Sequence, residues 1–178
     1  MENSTPNVWL NRRFPILFIA TNIVLMGLYY SLPNYIIEGV VVRFYAVVPG
    51  GALLDWLTPK VTVSTDHIRI VSPIANLNVL KGCEGTETLL LLYAAVIAML
   101  RPLKYTVVGL LVGTALVFAL NQLRIISLFF IAAYQKDYFE LVHGFVAPML
   151  IIGIAGLFFW FWLNWANASG VDKQASSE

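Results

Sequence analysis

At 178 residues, with 59% hydrophobic and 12% charged side chains and a mean hydropathy of +0.77, the chain lies far from a soluble domain and reads as an integral membrane protein. A net charge of +1 leaves no electrostatic footprint for nucleic acid, and one cysteine excludes an internal disulfide framework and a thiolate-rich metal cage. The length has room for about four spans of roughly 20 residues and one modest segment outside the bilayer, so no large soluble domain is expected.

In chain order, Arg12 and Arg13 precede an apolar stretch from Phe14 to Leu32, the first span. No small-x-small cleavage site follows it, so it reads as an uncleaved anchor with a positive-inside flank. Tyr35 to Leu57 is apolar as well, but it holds Glu38, Arg43 and Asp55 and is interrupted by Pro49, Gly50 and Gly51. The expectation there is helix pieces lying in the interface or re-entering from one side, with a packed, kinked transmembrane helix as the alternative.

From Val61 to Val79 apolar residues alternate with polar ones around Asp66–His67 and Ser72–Pro73. Period-two alternation broken by turn residues predicts a small β-hairpin or meander outside the membrane. The turn Gly82–Cys83–Glu84–Gly85 leads into a second span, Thr86 to Leu100. A short basic loop, Arg101 to Lys104, precedes a third span from Tyr105 to Leu123, which runs through Arg124 into a further apolar piece, Ile125 to Tyr134. A polar connection, Gln135 to Leu141, brings the chain to His143 and the last span, Phe145 to Trp165. Trp160, Trp162 and Trp165 there suit an interfacial aromatic belt.

The fold class is therefore an α-helical multi-pass membrane protein. It has about four to six transmembrane or re-entrant helices and a small extracytoplasmic β segment, about 60–80, before the cysteine. A single membrane domain occupies 1–166 and a disordered cytoplasmic tail 167–178.

If Arg12 and Arg13 are cytoplasmic, the first span exits, the 35–82 region stays outside, and the second span returns to place Arg101 and Lys104 inside. The third span then brings Arg124 to the outer interface, and the last begins outside at His143. Cys83, Arg124 and His143 thus meet at the outer ends of three spans. Each has a plain structural reading alone: a membrane cysteine packs as a small apolar residue, an arginine at a helix end snorkels, a boundary histidine is satisfied at the interface. Three such residues converging on one face instead suit nucleophilic catalysis. Cys83 would attack as a thiolate, His143 would take the thiol proton and return it to the leaving amine, and Arg124 would hold an oxyanion or orient the scissile carbonyl. Glu84 and Glu87 oppose a thiolate nearby, so they must point away, bind Arg124 or Lys81, or contact substrate.

Gly82–Cys83–Glu84–Gly85 after a β-like segment, Asn121-x-x-Arg124 late in a span and His143 opening the last one resemble the exosortase/archaeosortase family of membrane cysteine transpeptidases, over roughly Val61 to Ala155. The resemblance implies an enzyme of a prokaryotic cytoplasmic membrane whose active site faces the extracytoplasmic side. Its partners would be exported proteins ending in a short motif, a transmembrane helix and a basic tail, together with membrane lipid. Cleavage would leave a thioester on Cys83, resolved by a lipid, a glycan or another surface nucleophile. His143 and Arg124 carry over as catalytic partners, Glu84, Gly85 and Asn121 are expected to bind substrate, and neither cofactor nor metal is implied. With one clear span ahead of the cysteine, the chain looks like a compact member.

Two other readings stand beside this one. One is a non-catalytic scaffold subunit of a polysaccharide or surface-protein export system, in which Arg124 and Glu84 form an ion pair. The other is a glutamate- or metal-dependent intramembrane hydrolase using Glu84, Glu87 and His143, which the presence of only two histidines and the lack of paired-histidine spacing disfavour.

Overall fold

The structure, a computed structural model, describes residues 13–175; Arg12 of the basic flank and residues 176–178 of the expected tail lie outside them. The first helix, α1, is Arg13–Ser31. Pro33 bars its continuation past Ser31.

The second helix, α2, corrects an expectation. Asn34–Leu57 is not a set of pieces but one unbroken helix of 24 residues, widened to π geometry over Ile37–Val47 and α-helical from Val48 to Leu57. The chemistry of Pro49 explains how the break is absorbed. Proline has no N–H to give the carbonyl of Tyr45, and Gln122 Nε2 donates to that carbonyl instead, at 2.9 Å.

A three-stranded antiparallel sheet follows, in the order β1 (Ser64–Asp66), β2 (Arg69–Val71), β3 (Asn76–Asn78). This is the meander that the alternation predicted. Ile70, Leu77 and Val79 turn inward while Asn76, Asn78 and Leu80 stay exposed.

Helix α3, Thr86–Ala98, is 13 residues long, about 20 Å at 1.5 Å per residue, shorter than the expected span and than a hydrocarbon core of about 30 Å. It stops because Leu100 takes a left-handed turn (φ 49°) and Pro102 follows. Helix α4, Leu103–Tyr134, runs 32 residues without a break through Arg124. The last helix, α5, grows out of a 3₁₀ turn (Lys136–Tyr138) and a single α turn (Phe139–Leu141). It widens to π geometry over Val142–Val146 and is regular from Ala147 to Ala175. It thus runs on past Asn167, where a disordered tail was expected; no proline interrupts it there.

Four helices, α1, α2, α4 and α5, are long and apolar enough to cross a membrane, and the chain is a multi-pass α-helical membrane protein. Helices α1, α3, α4 and α5 alternate in direction between two ends of a bundle. At one end Gly85 meets Asn121 and Cys83 meets His143; at the other Trp162 Nε1 donates to the Tyr105 carbonyl at 2.9 Å and Phe14 stacks on Phe159. Helix α2 does not join these ends. Tyr45 packs on Phe118, and Gly50 lies so close to Ile125 that a Cβ would sit 3.0 Å from its Cγ2. Helix α2 and the sheet therefore both sit at the Cys83 end. Ile37, Leu54, Ile70, Ile125 and Phe129 form the core between them and α4. A second core of Leu92, Val96, Tyr105, Val117 and Trp162 holds the far end.

Candidate active site

The strand β3 delivers the chain to Cys83. After Val79, whose N–H bonds to the Ile68 carbonyl, the chain folds back so that the Cys83 N–H donates to the Leu80 carbonyl at 2.9 Å. Two glycines make this turn: Gly82 at φ 90° and Gly85 at φ 82°, both in the left-handed region open to residues without a Cβ. At Gly85 the space is closed as well, because a Cβ would sit 3.1 Å from Asn121 Cγ. Gly85→Ala is expected to cost roughly 1–2 kcal/mol in backbone strain alone, and more once Asn121 is displaced. Thermal unfolding in detergent checks it; a melting temperature equal to wild type would contradict this placement.

Two tyrosines at the end of α1 occupy the carboxylates beside the cysteine. Tyr29 donates its hydroxyl to Glu84 Oε1 and Tyr30 to Glu87 Oε1. The Lys81 ammonium lies over both rings, 5.4 Å from the Tyr29 centroid and 4.5 Å from that of Tyr30. Glu84 therefore points down into the protein, fully buried. The Arg124–Glu84 ion pair required by the scaffold reading does not form.

The histidine is positioned by a defect in its helix. Within the π turn, the Ala147 N–H reaches back to the Val142 carbonyl, and Pro148 has no N–H. The His143 carbonyl thus loses both its α partner and its π partner, and Arg124 Nη2 donates to it at 3.2 Å. Phe139, one turn earlier, stacks on the imidazole with ring planes 11° apart. Held in this way, His143 Nε2 lies 3.1 Å from Cys83 Sγ.

Cys83, Arg124 and His143 line one cavity of about 190 Å³, whose walls are otherwise largely apolar, with Leu77, Leu80, Ile125 and Leu128 among them. Cys83 is half-buried, and loss of water pushes its thiol pKa above the ordinary value. The Arg124 guanidinium pulls it down and the Glu84 carboxyl pushes it up, leaving the net shift upward. A thiol held protonated in this way needs a base, and the imidazole is within reach of its proton.

The expected catalytic three are thus brought together. The three residues expected to bind substrate are placed otherwise. Glu84, Gly85 and Asn121 are all buried and none lines the cavity: the turn at Gly85 sets Glu84 inward, and Gly85 itself closes over Asn121 on α4. Their geometry holds Cys83 in place. The sequence reading missed Tyr29 and Pro148. A tyrosine pair closing an apolar span, and a proline five residues after a histidine, were the available signals.

The family model for the transmembrane exosortases matches residues 8–163, a wider reach than the motifs alone suggest. No curated protein and no solved structure matches the chain.

Proposed function

The chain belongs to the transmembrane exosortase family, and from that premise we propose that it is a membrane cysteine peptidase or transpeptidase acting on exported proteins that end in a short motif, an apolar helix and a basic tail. The observation that carries this reading is the 3.1 Å approach of Cys83 Sγ to His143 Nε2 beside Arg124, at the wall of a cavity.

The chemistry follows from these atoms. His143 Nε2 accepts the thiol proton as Sγ bonds to the scissile carbonyl carbon. The resulting oxyanion needs a donor, and Arg124, which lines the cavity, supplies it through a guanidinium N–H other than the one its Nη2 gives to His143. Collapse breaks the C–N bond, His143 gives its proton to the departing amine, and the N-terminal portion of the substrate remains as a thioester on Cys83. Water, or an amine or hydroxyl of a lipid or glycan, then attacks the thioester and restores the thiol.

The site is assigned to the extracytoplasmic side of a prokaryotic cytoplasmic membrane, since Arg13 on one side of α1 and Arg101 and Lys104 between α3 and α4 then flank the cytoplasmic end. Because Cys83 is the sole cysteine, one experiment tests both chemistry and side. A membrane-impermeant maleimide applied to intact spheroplasts should label Cys83 and stop cleavage of a co-expressed tagged exported protein with such a terminus. Cleavage that survives complete labelling would overturn the reading.

A further inference from the structure

The sheet beside the cysteine has an edge strand that lines the catalytic cavity, and the ladder leaves some of its main-chain groups unused. The register fixes which groups these are. β2 pairs with β3 as Arg69↔Asn78, Ile70↔Leu77 and Val71↔Asn76, and the Val79 N–H bonds to the Ile68 carbonyl. In an antiparallel ladder hydrogen-bonding pairs alternate, so Leu77 and Val79 direct their N–H and C=O towards β2. Those of Asn76 and Asn78 point the other way; Leu80 is already engaged, its carbonyl taking the Cys83 N–H and its main chain hydrogen-bonding the thiol. β3 is the last strand of the sheet, so among the described residues no strand covers that side. The residues from Leu77 to Leu80 line the same cavity as Cys83, Arg124 and His143.

We propose that this edge binds the substrate's motif as an added strand: an extended peptide pairs its backbone with Asn76 and Asn78, and is thereby led to Cys83. The inference rests on the peptidase reading above and adds to it the mode of recognition. Three observations select an extended peptide as the occupant. Main-chain donors and acceptors at a sheet edge are matched by another main chain at a repeat of about 3.3 Å per residue. The edge is continuous with the site of cleavage, since Leu80 is three residues from Cys83 and hydrogen-bonded to it. The inward wall beside the edge is apolar, made by Leu77, Ile125 and Leu128, which suits alternate apolar side chains of a strand.

The test begins with Asn78→Pro. It deletes an N–H that β2 does not use, so the sheet keeps its ladder, while the ring obstructs an added strand. Cleavage of the tagged reporter is expected to fall at least about tenfold, the loss of a main-chain bond plus the obstruction, with the rate of Cys83 alkylation unchanged. Undiminished cleavage would overturn the strand-addition mode. If alkylation also changes, the variant has lost its site, and cross-linking decides. Asn78→Cys in a Cys83→Ala background, with single cysteines placed along the reporter's motif, should form disulfides at every second position. A three- to four-residue spacing, or no cross-link, would overturn the proposal. The peptidase reading fails separately, by cleavage that persists in Cys83→Ala alone.

Discussion

Cys83→Ala is expected to reduce processing of the tagged reporter to background while the protein stays in the membrane at wild-type abundance. Deleting the nucleophile of an enzyme that works through a covalent intermediate costs on the order of a million-fold by the precedent of serine proteases, which puts the residual rate below detection. The structure makes the result interpretable because the side chain removed is small and half-buried, and its polar neighbour is His143. The turn that carries it is held by main-chain and glycine geometry, not by the sulfur: the Leu80 carbonyl, the left-handed Gly82 and Gly85, and the Tyr29–Glu84 hydrogen bond all survive the change. A variant that is abundant, melts near wild type and fails to cleave therefore reports on chemistry. A scaffold subunit would be indifferent to the same change, so reporter cleavage at the wild-type rate would return the chain to that class.

How much of this was legible beforehand can be argued residue by residue. The spans carrying Arg124 and His143 were readable because uninterrupted apolar runs have few alternatives, and the meander because period-two alternation flanked by turn residues is a local signal. The convergence of Cys83, Arg124 and His143 followed from counting crossings, which needs topology and no packing detail. The continuity of α2 was not legible. A proline inside a helix is locally a break, and what compensates for Pro49 is Gln122, more than 70 residues away in sequence, with its amide on the Tyr45 carbonyl. Pro148 is the same case, with Arg124 serving the His143 carbonyl. Both repairs are tertiary, and both belong to the helix positions that build or brace the site. The burial of Glu84, Gly85 and Asn121 was not legible either, because it depends on the left-handed turn at Gly85 and on how closely that turn approaches Asn121 on α4. The length of α3 was overread because hydropathy continues through Met99 and Leu100, while the backbone has already turned.

His143→Gln separates a base from a merely positioned ring, and its expected signature is a pH dependence. Burial makes the Cys83 thiolate less favourable, so the thiol ionises above its ordinary value of about 8.5. At neutral pH most chains hold S–H, and in the proposed mechanism turnover depends on His143 taking that proton during attack. The variant keeps the backbone arrangement, since Arg124 bonds to the carbonyl of residue 143 and not to its ring. It loses the proton acceptor, and a fall of about 10²- to 10⁴-fold in kcat/KM is expected at pH 7. Attack then depends on the small fraction of preformed thiolate. That fraction grows about tenfold per pH unit until the raised pKa is reached, so the deficit against wild type should narrow as pH rises. Alkylation of Cys83, which consumes thiolate and needs no leaving-group proton, should climb over the same range. Arg124→Ala should move the alkylation midpoint higher still, because it removes the larger of the two influences that favour the thiolate and leaves burial and Glu84 opposed only by the Leu80 main chain. A deficit in His143→Gln that is equal at every pH would mean that the ring only packs against Phe139. It would remove His143 from the proton-transfer role while leaving the nucleophile in place.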